Sequence, residues 1–165
     1  MNPVIPIISF ALVFISQTAL PEKIQNIQDL QKLAEEGDSN AQCLLGLQEM
    51  IGGDLYDPRI IDTVTVEQIL LNKVDKWVIL IYNQPSFAKG SEFETGSKTE
   101  NAFKWVKKSA QQENKVGLYC LGIFYSVGMG VKKDSEQAYK KFEKSAKLGF
   151  LKSYRWAGQQ LSLIH

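Results

Sequence analysis

Residues that could carry out catalysis are scarce in this sequence. A serine or cysteine triad requires a histidine beside the nucleophile, and the single histidine among the 165 residues is His165, the last one. The sequence contains no HExxH, CxxC or phosphate-loop motif, each of which would bring metal ligands or a phosphate-binding turn together. We therefore expect no catalysis, no metal ion and no cofactor.

The two cysteines, Cys43 and Cys120, are the other residues with reactive side chains. We predict that both are buried thiols, because unbonded cysteine packs in protein cores as a small apolar residue. A disulfide between neighbouring units of the fold is the alternative in an oxidising compartment. It would require the two Cα atoms to lie within about 7 Å of each other.

Size and composition are those of one folded domain. The chain has 18.6 kDa, 44% hydrophobic residues and 22% charged residues, close to the averages for globular proteins. Its first 97 residues hold six basic and thirteen acidic groups, a charge of −7, whereas the remainder holds thirteen and five, a charge of +8. The formal net charge of +1 therefore conceals an acidic N-terminal part and a basic C-terminal part.

Lysines account for most of the basic part, and they recur at helical spacing. They form either a solvated helix face or a surface for an acidic protein or an anionic lipid. Nucleic acid is not an expected partner of an exported protein. The lysines of this predicted basic surface are Lys104, Lys107, Lys108, Lys140, Lys141, Lys144 and Lys147.

The first 21 residues carry no charge and include an apolar run from Val4 to Ile15. Such a run, followed by small residues and then a polar chain, predicts a secretory signal peptide over residues 1–20. We therefore expect a periplasmic or secreted protein. The alternatives are an uncleaved N-terminal anchor and a buried first helix. The apolar run is short for a membrane span, which needs about 20 residues.

An internal repeat organises the rest of the chain. Residues 102–110 resemble residues 138–146 at an offset of 36, and Gly122 and Gly158 share that offset. Gly46 lies 76 residues before Gly122, so the first unit contains about forty extra residues. Glycine inside a helix costs about 1 kcal/mol relative to alanine. We therefore expect these three glycines to allow close approach of the paired helix.

The extra residues, about 54–98, contain a strongly apolar helix. Thr65 and Gln68 have the spacing of a capping box, and apolar residues then recur every three or four positions up to Tyr82. We favour an extra core helix packed on the repeats over a partner-docking element. Ser97 and Glu100 predict a second capping box, which opens the following helix. Asp134 is predicted to cap a later one.

The residues from Val116 to Asp134, with their continuation to Gly149, resemble a Sel1-like repeat. The resemblance covers about residues 24–51 and 99–163, within a domain spanning 21–165. One departure is Glu113, which stands where Gly37 and Gly149 carry glycine. The resemblance implies an all-α fold: a short right-handed α-solenoid of tetratricopeptide-like helix-turn-helix repeats with an inserted amphipathic helix.

A repeat stack of this kind presents a groove rather than a reactive centre. We predict partner binding by variable positions on the first helix of each repeat, and the tyrosine and arginine among them are of types enriched at binding hot spots. Simple packing is the alternative for each position. The predicted partner-binding residues are Cys43, Leu47, Tyr119, Ile123, Arg155 and Gln159.

Sel1-like proteins in general act as adaptors for other proteins. Small exported bacterial members include immunity proteins that neutralise secretion-system toxins, notably lipases, so the resemblance suggests a protein partner of that kind. The alternatives are an envelope adaptor that binds a membrane or cell-wall component, with weak contact to an anionic membrane surface, and a cell-wall hydrolase. The oligomeric state is left open.

Overall fold

The computed structural model describes residues 26–51, 65–83 and 96–164, and the elements in these ranges are all helices. The predicted signal peptide over residues 1–20 and much of the insertion therefore lie outside the described residues. The seven helices are α1 (Ile27–Glu36), α2 (Ser39–Ile51), α3 (Val66–Tyr82), α4 (Ser97–Gln111), α5 (Lys115–Val127), α6 (Ser135–Lys147) and α7 (Lys152–Ile164).

The helices pack in the order that the repeat predicts. Helices α2, α5 and α7 are the first helices of successive units, while α1, α4 and α6 are the second helices. Extensive contacts join α2 to α4 and α5 to α6, so α2 and α5 each pack on the second helix of their own unit. The predicted fold class, an all-α stack of helical pairs with an inserted helix, is confirmed.

Several helix ends follow from local chemistry as predicted. Gly37 ends α1 with φ +104°, a left-handed conformation that glycine adopts without strain. At the start of α3 the Gln68 N–H donates to the Thr65 hydroxyl at 3.3 Å, and the Thr65 N–H donates to the Gln68 side chain at 2.9 Å. This reciprocal pair is a capping box. Asp134 caps α6 by accepting from the Gln137 N–H at 2.8 Å.

The predicted capping box of Ser97 and Glu100 is wrong. Gly96 is the N-cap residue of α4, and its N–H donates to the Thr99 hydroxyl at 2.9 Å. The helix therefore begins one residue earlier than the Ser97 pattern predicts. Glycine provides no side-chain cap, and a threonine within the first turn satisfies the backbone instead.

The two cysteines are buried and free. Cys43 and Cys120 lie on α2 and α5. Burial and the neighbouring thiol raise the pKa of Cys120 well above its usual value. Since a thiolate is the reactive form of cysteine, this environment keeps the Cys120 thiol protonated and unreactive.

The repeat glycines allow close helix packing at two of their three positions. An added Cβ at Gly46 would lie 2.7 Å from a Val106 methyl on α4, and one at Gly122 would lie 2.7 Å from the Phe142 ring on α6. These distances are too short for real Cβ contacts, which confirms the predicted role of both glycines. An added Cβ at Gly158 meets nothing within 4 Å, so the prediction fails there.

Candidate functional site

The inserted helix α3 lies on the first helices of the stack. The Trp77 ring stacks on Phe124 of α5 at 5.7 Å between centroids, and the Tyr82 ring stacks on Trp156 of α7 at 4.6 Å. The Tyr82 hydroxyl also lies 3.4 Å from the Ser126 hydroxyl. The helix buries six side chains: Ile69, Leu70, Val74, Trp77, Val78 and Ile81. These contacts support the interpretation of α3 as an extra core helix.

Ion pairs hold α3 at its edges. Lys115 of α5 lies 3.6 Å from Glu67, and Lys152 of α7 pairs with Asp75. The Tyr82 phenol sits between these helices, and burial raises its pKa to about 12. The ion pairs lie at the exposed edges of α3, and the Tyr82 phenol between them is buried and uncharged. This arrangement indicates that α3 packs as part of the core.

This arrangement corrects four of the six predicted partner-binding residues. Cys43, Leu47 and Ile123 have no exposed surface, and Tyr119 is 2% exposed. Helix α3 packs on α2 and α5, and the Tyr119 ring packs against Phe142 at 5.7 Å. These four side chains belong to the core, so they cannot contact a partner in this conformation.

The other two predicted residues, Arg155 and Gln159, are exposed on α7. They occupy the repeat positions of Tyr119 and Ile123, 36 residues later. Residues at the same repeat positions are therefore core residues in α5 and surface residues in α7. Partner binding by Arg155 and Gln159 stays a prediction.

One face of α7 combines exposure with apolar character. Leu151 is 71% exposed, Tyr154 57% and Leu161 40%. Leu151 immediately precedes α7, and with the exposed Arg155 and Gly158 the three residues follow the i, i+3, i+4, i+7, i+10 spacing that places residues on one side of a helix. We call these five residues, Leu151, Tyr154, Arg155, Gly158 and Leu161, the α7 outer face.

Exposed apolar side chains are concentrated at this end of the molecule. Nine large hydrophobic residues are exposed in the described ranges, and six of them lie between residues 148 and 164. Single exposed hydrophobic residues are normal, whereas several on one helix face are typical of an interaction surface. Three of the six, Leu151, Tyr154 and Leu161, share the α7 outer face. The six are Leu148, Leu151, Tyr154, Leu161, Leu163 and Ile164.

A cleft of about 290 Å³ opens between α1, α2 and α4 at the other end. Its lining mixes apolar and polar side chains: Ile27, Gln31, Leu45, Gln48, Glu49, Lys98 and Trp105. No group of three histidine, cysteine or acidic residues suited to a metal ion occurs in the described ranges. None of the described helices is both long and apolar enough to cross a membrane.

Comparison with known proteins gives matches among solved structures only. No family model and no curated protein matches the chain. A Sel1 repeat protein from Oxalobacter formigenes is 21% identical, with 82% of this chain and 99% of that chain covered and a TM-score of 0.37. The protein c5321, a protective antigen present in uropathogenic Escherichia coli strains with an SLR fold, is 24% identical, with 75% of this chain covered and a TM-score of 0.31. This chain spans 26% of that one.

The repeat spacing of the sequence and the paired helices of the structure agree. The described helices form an all-α stack of helical pairs, and the repeats in the sequence resemble Sel1-like repeats. Helix α3 packs on the first helices α2 and α5. The outer face of α7 is among the surfaces that the described helices leave exposed.

The predicted basic surface lies on the second helices of the Sel1-like units, and six of its seven lysines are exposed; Lys141 is half-buried. Many of these lysines are engaged locally. Lys140 and Lys147 pair with glutamates of their own helix, and the Lys108 ammonium lies 4.2 Å from the centroid of the Trp105 ring. Lys144 lies 2.8 Å from Glu113 and holds the pKa of that carboxyl below its usual value.

Sequence reasoning missed Leu151, Tyr154 and Leu161, although the Sel1-like repeat contains the signal that would have found them. Tyr154 stands 36 residues after Leu118, which is buried, and Leu161 stands 36 residues after Tyr125, which is half-buried. Helix α5 packs between α4 and α6, and the Tyr125 ring contacts Phe103 of α4 at 5.8 Å. The equivalent positions of α7 are exposed.

Proposed function

We propose that this chain is a non-catalytic protein-binding module that binds its partner through the α7 outer face. The observation that carries the proposal is the concentration of exposed apolar side chains at the end of the stack, where Leu151 is 71% exposed. Exposed apolar side chains that share one helix face are typical of a surface that another protein covers.

The test compares two double variants that remove similar amounts of exposed apolar surface. Leu151→Ser with Tyr154→Ser alters the α7 outer face, and Ile79→Ser with Leu80→Ser alters the exposed side of α3, where these residues are 59% and 49% exposed. Affinity capture from the native envelope should recover the same partner with wild type and with the α3 variant. Recovery should fall about tenfold or more with the α7 variant. Equal recovery with all three proteins would refute the proposal.

The sharper form of the proposal is an immunity protein that neutralises a secretion-system toxin, such as a lipase. It is supported by the Sel1-like fold and by the apolar leader that predicts export. Expression of the full chain should protect cells in which such a toxin is directed to the periplasm. A complex with nanomolar affinity should form between the two purified proteins. Unprotected cells that nevertheless contain the folded chain would count against this form.

A second candidate function is an envelope adaptor that contacts an anionic membrane or cell-wall component. The observation that favours it is the row of exposed lysines on α4 and α6, among them Lys104 and Lys107. Binding of the chain to anionic vesicles should then weaken steeply between low and physiological salt, because exposed charges are screened. The ion pairs of Lys140, Lys144 and Lys147 reduce the net charge available for such binding.

A further inference from the structure

Both cysteines of the sequence lie in the core, on helices that contact each other. Cys43 of α2 and Cys120 of α5 have no exposed surface, and both belong to the same cluster of buried apolar side chains. The structure holds them as free thiols. The described helices alone are sufficient to bury both side chains. Two thiols enclosed in one core on adjacent helices are candidates for a covalent link.

Hydrogen bonds align the beginnings of α2 and α5. The side-chain amide of Asn114, the N-cap residue of α5, donates to the Ser39 hydroxyl at 3.0 Å and to the Asn40 side-chain oxygen at 2.7 Å. As first helices of successive units, α2 and α5 run in the same direction. Cys43 lies three residues beyond Asn40, which is about 4.5 Å along the helix axis. Cys120 lies six residues beyond Asn114, which is about 9 Å, so the heights of the two cysteines differ by less than one helical turn.

The separation of the two helices also suits a covalent link. Cα atoms of α2 and α5 approach within 8 Å of each other, and a disulfide bond requires Cα atoms that lie about 7 Å apart or less. Burial raises the pKa of Cys120, and the Cys43 thiol lies close enough to raise it further. Height along the helices, helix separation and this mutual influence all place the two thiols side by side.

We propose that Cys43 and Cys120 form a disulfide bond between α2 and α5 when the chain folds in an oxidising environment, and that the completed core then shields this bond from reductants. The bond joins the first two units of the stack across 77 positions of the chain, including the insertion. It also ties together the two first helices on which α3 packs. The bond does not depend on the proposed protein-binding function, so either can be refuted without the other.

Thiol–disulfide exchange forms the bond in two steps, with an oxidant that is itself a disulfide, such as oxidised glutathione. The thiolate of one cysteine attacks a sulfur of the oxidant, which yields a mixed disulfide and releases one thiolate. The thiolate of the second cysteine then attacks the cysteine sulfur of the mixed disulfide and displaces the second thiolate of the oxidant. The two cysteines are oxidised, the oxidant disulfide is reduced, and the two cysteine protons end on the two released thiols.

The burial of the two cysteines determines when this exchange can occur. A thiolate is the attacking species, and in the folded chain the raised pKa of Cys120 keeps that thiol protonated. Neither sulfur is accessible to an oxidant or a reductant, because both residues have no exposed surface. The exchange therefore takes place before the core closes or through its opening. Since disulfides form in oxidising compartments, the redox state of the pair records the compartment in which the chain folded.

The test is refolding of the full chain from urea, either with oxidised and reduced glutathione or with dithiothreitol. Refolding with glutathione should give a monomer that lacks the mass of two hydrogen atoms, and protease mapping should join the peptides that contain Cys43 and Cys120. Refolding with dithiothreitol should give the dithiol. In the same buffer, thermal unfolding of the oxidised monomer should occur about 5–10 °C higher than that of the dithiol, because the bond closes a long loop of the unfolded chain.

The matched control moves one thiol by two residues on the same helix. Cys43→Ala with Ala41→Cys keeps two buried cysteines, because Ala41 also has no exposed surface. A shift of two residues rotates the side chain by about 200° around α2, away from Cys120. This double variant should stay reduced under the same refolding conditions, and circular dichroism verifies that it retains the helix content of the wild type.

A second measurement uses the wild type without any substitution. A thiol reagent should modify the folded dithiol about a hundredfold or more slowly than the chain unfolded in urea, because the reagent must wait for the core to open. Dithiothreitol should likewise reduce the disulfide of the folded chain far more slowly than that of the unfolded chain.

Four results would overturn the inference. They are a refolded chain that retains both thiols, a disulfide that forms between two chains rather than within one, equal oxidation of the Cys43→Ala, Ala41→Cys variant, and an oxidised monomer that is less stable than the dithiol. Thiols that react as fast in the folded chain as in the unfolded chain would refute the shielding of the pair by the core.

Discussion

Helices α5 and α7 occupy the same position in successive repeats, yet their surroundings are opposite. Eleven of the thirteen residues of α5 are buried, against three of thirteen in α7. Helix α5 lies between α4 and α6, whereas among the described second helices the extensive contact of α7 is with α6. The comparison teaches that position in the repeat defines which side chains face a neighbour, while the presence of the neighbour decides whether they form core or surface.

The largest effect on stability is expected from substitutions at Tyr119 and Arg155, which share one repeat position. Tyr119→Ala should lower the free energy of unfolding by about 3–5 kcal/mol, because it leaves a cavity beside Phe142 and Phe150. Arg155→Ala, at the exposed equivalent, should change it by no more than about 0.5 kcal/mol. Urea unfolding followed by circular dichroism measures both values. Similar losses in the two variants would show that α5 and α7 are not differently packed.

The second test measures the free energy of unfolding at alkaline pH. It probes the region where α3 stacks on α5 and α7. The pKa of Tyr82 is raised to about 12 from 10 by burial, so the unfolded state loses this proton first as the pH rises. The contribution of Tyr82 to stability is therefore unaffected below pH 10 and falls between pH 10 and 12, by about 2–3 kcal/mol in total. Tyr82→Phe should remove this part of the decline in urea unfolding. A decline of the same size in both proteins would contradict the buried environment of Tyr82.

The third test concerns the repeat glycines. Gly46→Ala should destabilise the protein by about 1–2 kcal/mol, because the added Cβ lies 2.9 Å from the Ala102 carbonyl oxygen and overpacking exceeds the gain in helix propensity. Gly158→Ala should stabilise it by up to about 1 kcal/mol, since nothing opposes that gain. Thermal unfolding of the two variants should thus give shifts of opposite sign. A loss of stability in Gly158→Ala would show that α7 is covered.

The smallest effect is expected at the turns that end the second helices. Gly37 and Gly149 have φ of +104° and +92°, and Glu113 occupies the same repeat position with φ +59°, which strains a residue that has a Cβ. Glu113→Gly should raise stability by about 0.5 kcal/mol, although it removes the exposed ion pair with Lys144. Gly149→Ala should lower stability by about 1 kcal/mol. Differential scanning calorimetry can resolve the two signs, and equal signs would argue against a shared conformation.

The pattern of the sequence predicted the repeat helices well because helix formation depends on local spacing. Apolar periodicity, the Thr65 capping box and the Asp134 cap act within a few residues, and each is present in the structure. The capping box at Ser97 failed for a local reason as well. Thr99 competes with Ser97 for the same helix end, and it bonds to the backbone of Gly96.

The candidate site was harder to predict because it depends on contacts between distant parts of the chain. Cys43, Leu47, Tyr119 and Ile123 are variable first-helix positions, so the repeat pattern placed them in a groove. Whether that groove is open depends on where α3 packs, and spacing within α3 contains no information on this. The stack of Trp77 on Phe124 joins residues 47 positions apart.

The sequence by itself determined the helices, their pairing at offsets of 36 and 76 residues, and two of the three close-approach glycines, Gly46 and Gly122, since these follow from periodicity and residue size. Only the tertiary structure decided which faces are open. Helix α3 fills the inner surface and leaves the outer face of α7 exposed. Burial is a property of neighbours, and the same residue pattern forms core beneath a helix and an exposed surface without one.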